Sequence, residues 1–244
     1  EESTITIPVK SDYDYTVDMP AWITGEKVKE GYNSTLTENT TGNARKGTVI
    51  FKSQKGTKEI TFVQFGVNDI AGTYEATYST FGEGDDWVSE TVKIELLQDE
   101  ENEAVFYADG LSSIRGVVLP LKFDGETYQL SVLNGQYLGF IESQKWYLYT
   151  IVRSEAGYVH ADTSLFYPAI AELDVDDEEL MPFFPFKDKK GFSFTGETGT
   201  IKSFIDAIGV YVFASKSPTF GNNNNLGYYD IFKGLSIKKI KADH

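Results

Sequence analysis

The chain offers little imidazole and no thiol with which to do chemistry. It has two histidines, His160 and His244, and no cysteine. A Ser-His-Asp triad would have to use His160, in Tyr158-Val159-His160-Ala161-Asp162, because His244 is the last residue. No Gly-x-Ser-x-Gly elbow precedes it, so no nucleophile is presented to that imidazole. Zinc needs three or four nitrogen, sulfur or oxygen ligands, and one usable histidine does not supply them. His160 therefore reads as a strand or loop residue bonded locally. The 37 Asp and Glu residues leave a glycosidase-type carboxylate pair open by count alone. Such a pair must lie roughly 5–10 Å apart across a cleft, which spacing along a β-chain does not reveal. Asp174-Val175-Asp176-Asp177-Glu178-Glu179 is the densest acidic run. It lacks the central glycine and the spaced ligands of an EF-hand, so a solvated loop is the better reading than calcium. No catalytic residue, metal or cofactor is assigned.

Two segments carry the chemistry of sugar recognition instead. Asn222, Asn223, Asn224 and Asn225 stand between Phe220-Gly221 and Leu226-Gly227-Tyr228-Tyr229. Amides bond hydroxyls and rings stack on the C–H faces of a sugar, although a flexible connecting loop has the same composition. Gly82-Glu83-Gly84-Asp85-Asp86-Trp87 matches no phosphate loop, since Asp85 and Asp86 would repel phosphate. It reads as a hairpin loop with a tryptophan near its end. The candidate ligand-binding residues are thus Trp87, Asn222, Asn223, Asn224, Asn225 and Tyr228. Phe183-Phe184-Pro185-Phe186 is expected to form an exposed aromatic patch.

Strands must position these residues. Of the 244 residues 41% are hydrophobic and 14% aromatic, with 17 Phe, 15 Tyr and 3 Trp; rings and β-branched side chains suit a pleated, half-buried surface. Tyr13, Tyr15 and Val17 alternate with Asp12, Asp14 and Asp18; Val92, Ile94 and Leu96 alternate with Lys93 and Glu95; Tyr128, Leu130 and Val132 alternate with Thr127, Gln129 and Ser131. Residues 145–152 and 208–214 are apolar on both faces and predict strands covered on both sides. Turn signals such as Asp124-Gly125 and Asn134-Gly135 recur at short intervals. Ser164–Glu172 and Ser203–Ile208 are the only places for a short helix. A break at Gly66-Val67-Asn68-Asp69-Ile70-Ala71-Gly72 predicts two all-β domains, 1–67 and 71–244.

The net charge is −15 and the sequence pI about 4.5. An acidic surface repels phosphate backbones and anionic lipid, which excludes nucleic acid as a partner. No apolar run reaches the ~18 residues that span a bilayer. Glu1-Glu2-Ser3 reads as the start of a trimmed or mature chain.

Pro20-Ala21-Trp22-Ile23, then Asn43-Ala44-Arg45-Lys46-Gly47-Thr48-Val49-Ile50-Phe51, then Glu59-Ile60-Thr61-Phe62-Val63-Gln64-Phe65-Gly66 place a tryptophan, an Arg-x-Gly turn and a Gln-x-Gly strand end in a fixed order. Residues 1–66 resemble the BACON domain, an immunoglobulin-like β-sandwich of exported Bacteroidetes proteins. Trp22 is expected to fill the space between its sheets, with sugar stacking as the alternative. The Gly72-Thr73-Tyr74 strand, Glu90–Gln98 and Leu133–Gly139 are similar to lipocalin-like (calycin) barrels of exported Bacteroidetes proteins. The resemblances imply an Ig-like sandwich followed by a larger antiparallel barrel or sandwich. They also imply an exported or cell-surface location, with any lipid anchor outside this segment. The expected function is non-catalytic binding, of a polysaccharide or oligosaccharide, in glycan acquisition or adhesion. A lipocalin-like carrier of a small apolar ligand, or a structural protein contacting other surface proteins, are the alternatives.

Overall fold

The structure, a computed structural model, describes residues 3–40, 44–84, 86–125, 127–157, 159–160, 171–172, 174–175, 181–186, 192–196, 199–218, 220 and 223–240. For 159–160, 171–172, 174–175, 192–196 and 199–203 it describes the backbone. It is all-β, and it divides into two compact units, Glu1–Asp69 and Ile70–His244.

In the first unit the strands are β1 (Ser3–Ile7), β2 (Tyr15–Asp18), β3 (Ile23–Val28), β4 (Gly31–Leu36), β5 (Arg45–Ser53) and β6 (Gly56–Gln64). They form two antiparallel three-stranded sheets, β1-β4-β3 and β2-β5-β6. The period of two sends Val49 and Phe51 of β5 inward, where they meet Ile7, Ile23, Tyr32 and Leu36. Tyr32 and Phe51 meet edge to face at 5.5 Å and are the rings that fill the space between the sheets.

Trp22, half-buried, packs against the same core. A Cβ on Gly47 would lie 2.6 Å from its ring, so the indole rests directly on the glycine backbone. The Arg45 guanidinium covers it at 4.4 Å. Arg45 also donates to Gln64 Oε1 (2.8 Å) and to the Thr37 carbonyl (2.6 Å), and Gln64 donates to the same carbonyl (3.0 Å). Thr37 N–H in turn donates to the Trp22 carbonyl. The Trp, Arg-x-Gly and Gln signals of the sequence are therefore one clamp tying both sheets together.

The second unit opens after a 3-10 turn, Val67–Asp69, in which the Asp69 carboxylate accepts the Gly66 N–H. Its strands are β7 (Gly72–Phe81), β8 (Trp87–Gln98), β9 (Val105–Asp109), β10 (Leu119–Asp124), β11 (Gln129–Val132), β12 (Tyr137–Ile141), β13 (Trp146–Ser154), β14 (Val159–His160), β15 (Ala171–Glu172), β16 (Asp174–Val175), β17 (Pro182–Phe184), β18 (Phe192–Gly196), β19 (Gly199–Ser203), β20 (Ile205–Phe213) and β21 (Asn225–Lys239). One curled antiparallel sheet runs β12-β13-β20-β21-β7-β8-β9-β10-β11-β15. β14 pairs with β13, β17 with β21 and β16 with β17, while β18 and β19 form a separate hairpin.

One face of this sheet buries Tyr74, Ile94, Leu96, Phe106, Leu121 and Phe232. The cavity left among Ile94, Ala108, Leu111, Leu121, Leu130, Phe184, Leu235 and Ile237 measures about 20 Å³, room for one water. β13 and β20 are buried on both faces, as their unbroken apolar runs require.

Two expectations are corrected here. Ser203–Ile208 is not helical: Ile205 starts β20, whose residues pair with β13 on one side and β21 on the other. Phe183–Phe186 is not an exposed patch. Phe184 is fully buried, 6.3 Å from the Tyr74 ring and 6.4 Å from Phe123, because β17 docks on β21 with Phe184 opposite Ile237. Most of Asp174–Glu179 lies outside the described residues.

Candidate functional site

Three hairpins lie side by side in the curled sheet: β12–β13, β20–β21 and β7–β8. Their connections, residues 142–145, 214–224 and 82–86, fall at the same end. Among the described residues of this unit ten large hydrophobic side chains are exposed, and seven belong to this end of these hairpins: Tyr137, Phe140, Phe220, Leu226, Tyr229, Phe81 and Val88. Exposure of large apolar groups is thus concentrated at this end, on both faces of the sheet: Phe81 and Val88 point to opposite sides.

On one face the rings form a continuous band. Centroid distances run Tyr137–Tyr149 5.4 Å, Tyr149–Phe213 5.6 Å, Phe213–Tyr211 5.2 Å, Tyr211–Tyr228 5.0 Å, Tyr228–Phe81 5.9 Å and Phe81–Trp87 4.6 Å. The band crosses six strands, about 24 Å at a spacing of ~4.8 Å. Its middle, Tyr149, Tyr211 and Phe213, is buried, while Tyr137 at one end and Phe81 at the other are more than two-fifths exposed. Phe220, from the β20–β21 loop, sits 5.4 Å from Tyr211 and 5.3 Å from Phe213 and is itself exposed.

A charged cluster lies under the Trp87 end. The pairing of β13 with β20 shifts between Arg153 and Ser154, which leaves Asp206 as an extra residue opposite Arg153. A bulge of this kind re-aims a side chain, and here it turns Asp206 onto the Arg153 guanidinium in a two-pronged pair at 2.8 and 3.0 Å. Lys233 approaches the same carboxylate at 3.6 Å. Both cations also lie over the Trp87 ring, Lys233 Nζ at 4.6 Å and Arg153 at 5.4 Å, so cation–π attraction fixes the indole. Among the described residues the buried Tyr228 hydroxyl has no hydrogen-bond partner. Burial, more than any neighbouring charge, pushes its pKa well above the usual tyrosine range.

The structure brings Trp87 and Tyr228 together through Phe81, which contacts both. Trp87 is half-buried, with Phe81 and two cations around its ring. The asparagines divide. Asn222 lies outside the described residues. Asn223 is exposed at φ 63°, a turn conformation asparagine tolerates. Asn224 is engaged within the loop: its Oδ1 accepts from Ser215 Oγ (2.7 Å), its Nδ2 donates to the Ser217 carbonyl (2.8 Å), and its own carbonyl accepts the Ala214 N–H. Its amide therefore shapes the loop that presents Phe220. Asn225 starts β21 and is exposed. Sequence reasoning missed Phe81, Phe220 and Tyr137, and the trio Arg153, Asp206 and Lys233. The available signal was a lone charge in an apolar strand, as in Ile151-Val152-Arg153 and Ile205-Asp206-Ala207.

Among the described residues no group of three or more His, Asp or Glu is arranged to hold a metal ion. His160 is paired through its backbone with Val152. No helix is long and apolar enough to cross a membrane. No family model, no curated protein and no solved structure matches the chain.

Proposed function

We propose that the chain is a non-catalytic binding protein, exported or displayed at a cell surface, that takes a polysaccharide or oligosaccharide on the aromatic band of its second unit. One observation carries this reading: seven of the ten exposed large hydrophobic side chains described in that unit gather at one end of three adjacent hairpins, and three of them, Tyr137, Phe220 and Phe81, are the exposed rings of the band. Rings offer flat apolar faces to sugar C–H groups, and the exposed Asn223 belongs to the same β20–β21 connection as Phe220. The spread of its exposed rings, Tyr137, Phe220 and Phe81, over the six strands suits an extended chain better than a single small molecule. The resemblance of residues 1–66 to the BACON domain supports the location and the ligand class. The lipocalin-like alternative would need an interior space larger than the cavity of about 20 Å³ found among the described residues.

Affinity electrophoresis in a panel of polysaccharide gels, followed by titration calorimetry on any hit, tests the proposal. Phe81→Ala and Phe220→Ala should each weaken binding about tenfold, the effect of losing ~1.4 kcal/mol, while the unit stays folded at the titration temperature in melting curves. Retained affinity in both variants removes the band as the site.

A further inference from the structure

The first unit holds an opening of a different kind. Pro8 follows β1 directly and has no N–H to continue the ladder. The chain from Pro8 to Asp14 then crosses toward β2 without joining either sheet. At the same end β5 and β6 turn at Gln54-Lys55, and a Cβ on Gly56 would meet nothing within 4 Å. The two sheets therefore part, and solvent reaches the core margin through a cleft of about 340 Å³. That volume falls in the range of small-molecule sites, and it is many times the cavity described among Ile94, Phe184 and Ile237 of the second unit.

The floor of the cleft is apolar: Ile7, Val9, Tyr15, Phe51 and Ile60. Its rim carries three lysines, Lys10, Lys52 and Lys58, against one glutamate, Glu59. The strand period separates the last two. Lys58 shares the face of Ile60 and Phe62, which pack on the core, and Glu59 shares the opposite face. Lys52 is engaged by Asp18 at 2.5 Å, while among the described residues neither Lys10 nor Lys58 makes an ion pair. A cationic mouth over an apolar floor, in a chain of net charge −15, is a local reversal of sign.

We infer that this cleft binds a small amphipathic carboxylate, its alkyl or aryl body on Phe51, Tyr15 and Ile60 and its carboxylate at Lys10 and Lys58. At about 30 Å³ per non-hydrogen atom the space takes roughly a dozen such atoms, the size of decanoate. This site is separate from the aromatic band and stands whether or not the band binds glycan.

The full chain is titrated by calorimetry with decanoate, decanol and decyltrimethylammonium, each below its aggregation threshold. Decanoate should bind at least tenfold more tightly than decanol and the ammonium least. Added salt should weaken decanoate alone, as an exposed ion contact requires. Lys58→Glu and Lys10→Glu should each lower decanoate affinity at least fivefold without moving the melting curve, both side chains being exposed. Phe81→Ala should leave it unchanged. No decanoate binding at millimolar concentration, equal binding of all three probes, or indifference to both lysine variants overturns the inference. So does an extended poly-glutamate peptide that competes decanoate off and binds more tightly, since the cleft would then be a strand-docking edge.

Discussion

Removing Asp206 is the most telling perturbation of the second unit. Its carboxylate is 16% exposed and the Arg153 side chain 18%, and they meet in a two-pronged pair with Lys233 at 3.6 Å. Asp206→Ala leaves two cations converging on the Trp87 face without their counter-charge. Breaking a buried pair by deleting one partner costs about 3–5 kcal/mol. The residual exposure of Arg153 lets water reach it, which brings the expectation down to about 3 kcal/mol. For a unit of this size, 1 kcal/mol moves the melting temperature by roughly 2–4 °C, so a fall of about 6–12 °C is expected. Differential scanning calorimetry with far-UV circular dichroism reads it. The double variant Arg153→Met/Asp206→Leu should recover at least half of the loss, because it removes both charges and retains apolar volume. A drop below 1 °C for Asp206→Ala, or a double variant that loses the sum of its single variants, would refute the coupling of the pair.

The remaining expectations are shorter. Tyr228→Phe deletes a buried hydroxyl that has no partner among the described residues and should stabilise the unit by about 1 kcal/mol; a loss of stability would mean that the hydroxyl is hydrogen-bonded in solution. Because burial raises the Tyr228 pKa in the folded state, the unfolded chain loses its proton first. The tyrosine's contribution is full below the ordinary value of about 10 and falls as pH rises beyond it, so the Phe variant should lose less stability between pH 9 and 11 in parallel denaturant titrations. Gly47→Val places a Cβ 2.6 Å from the Trp22 ring and 2.7 Å from Pro20; displacing the indole should cost the first unit about 2–3 kcal/mol, and an unchanged denaturation midpoint would show that the clamp is loose. Phe184→Ala empties a fully buried ring site and should cost about 3–5 kcal/mol by denaturant unfolding, where the expectation of an exposed patch requires almost none.

Alternation was enough to read the all-β class and the strands β13 and β20 covered on both faces, because a period of two and an unbroken apolar run are local properties. Pairing is not local. Phe184 looked exposed because Phe183–Phe186 is short, proline-containing and flanked by polar residues, yet its partner Ile237 lies some fifty residues on. Ser203–Ile208 looked helical because nothing in that stretch announces the strands on either side of it. Trp22 illustrates a subtler point. Residue type predicted a ring packed on the core, but the glycine that receives the indole is twenty-five positions away, and its meaning emerges only when Gly47, Arg45 and Gln64 are seen around one side chain.

The same distinction separates the two halves of the aromatic band. Tyr149, Tyr211 and Phe213 are buried, so they stabilise the sheet as any core ring does. Phe81, Phe220 and Tyr137 keep more than two-fifths of their surface in water, and a ring left that exposed forgoes much of the roughly 25 cal/mol per Å² that burial would contribute. Holding several such rings at one end of a sheet is therefore a poor route to stability, since nearly half of each ring contributes nothing to it. Neither is their position loose. Asn224 fixes the loop that carries Phe220, a bulge sets Asp206 under the cations that hold Trp87, and Phe81 bridges Trp87 to Tyr228. Rigid support beneath exposed apolar faces is what a preorganised recognition surface needs, since little conformational freedom is left to lose on binding.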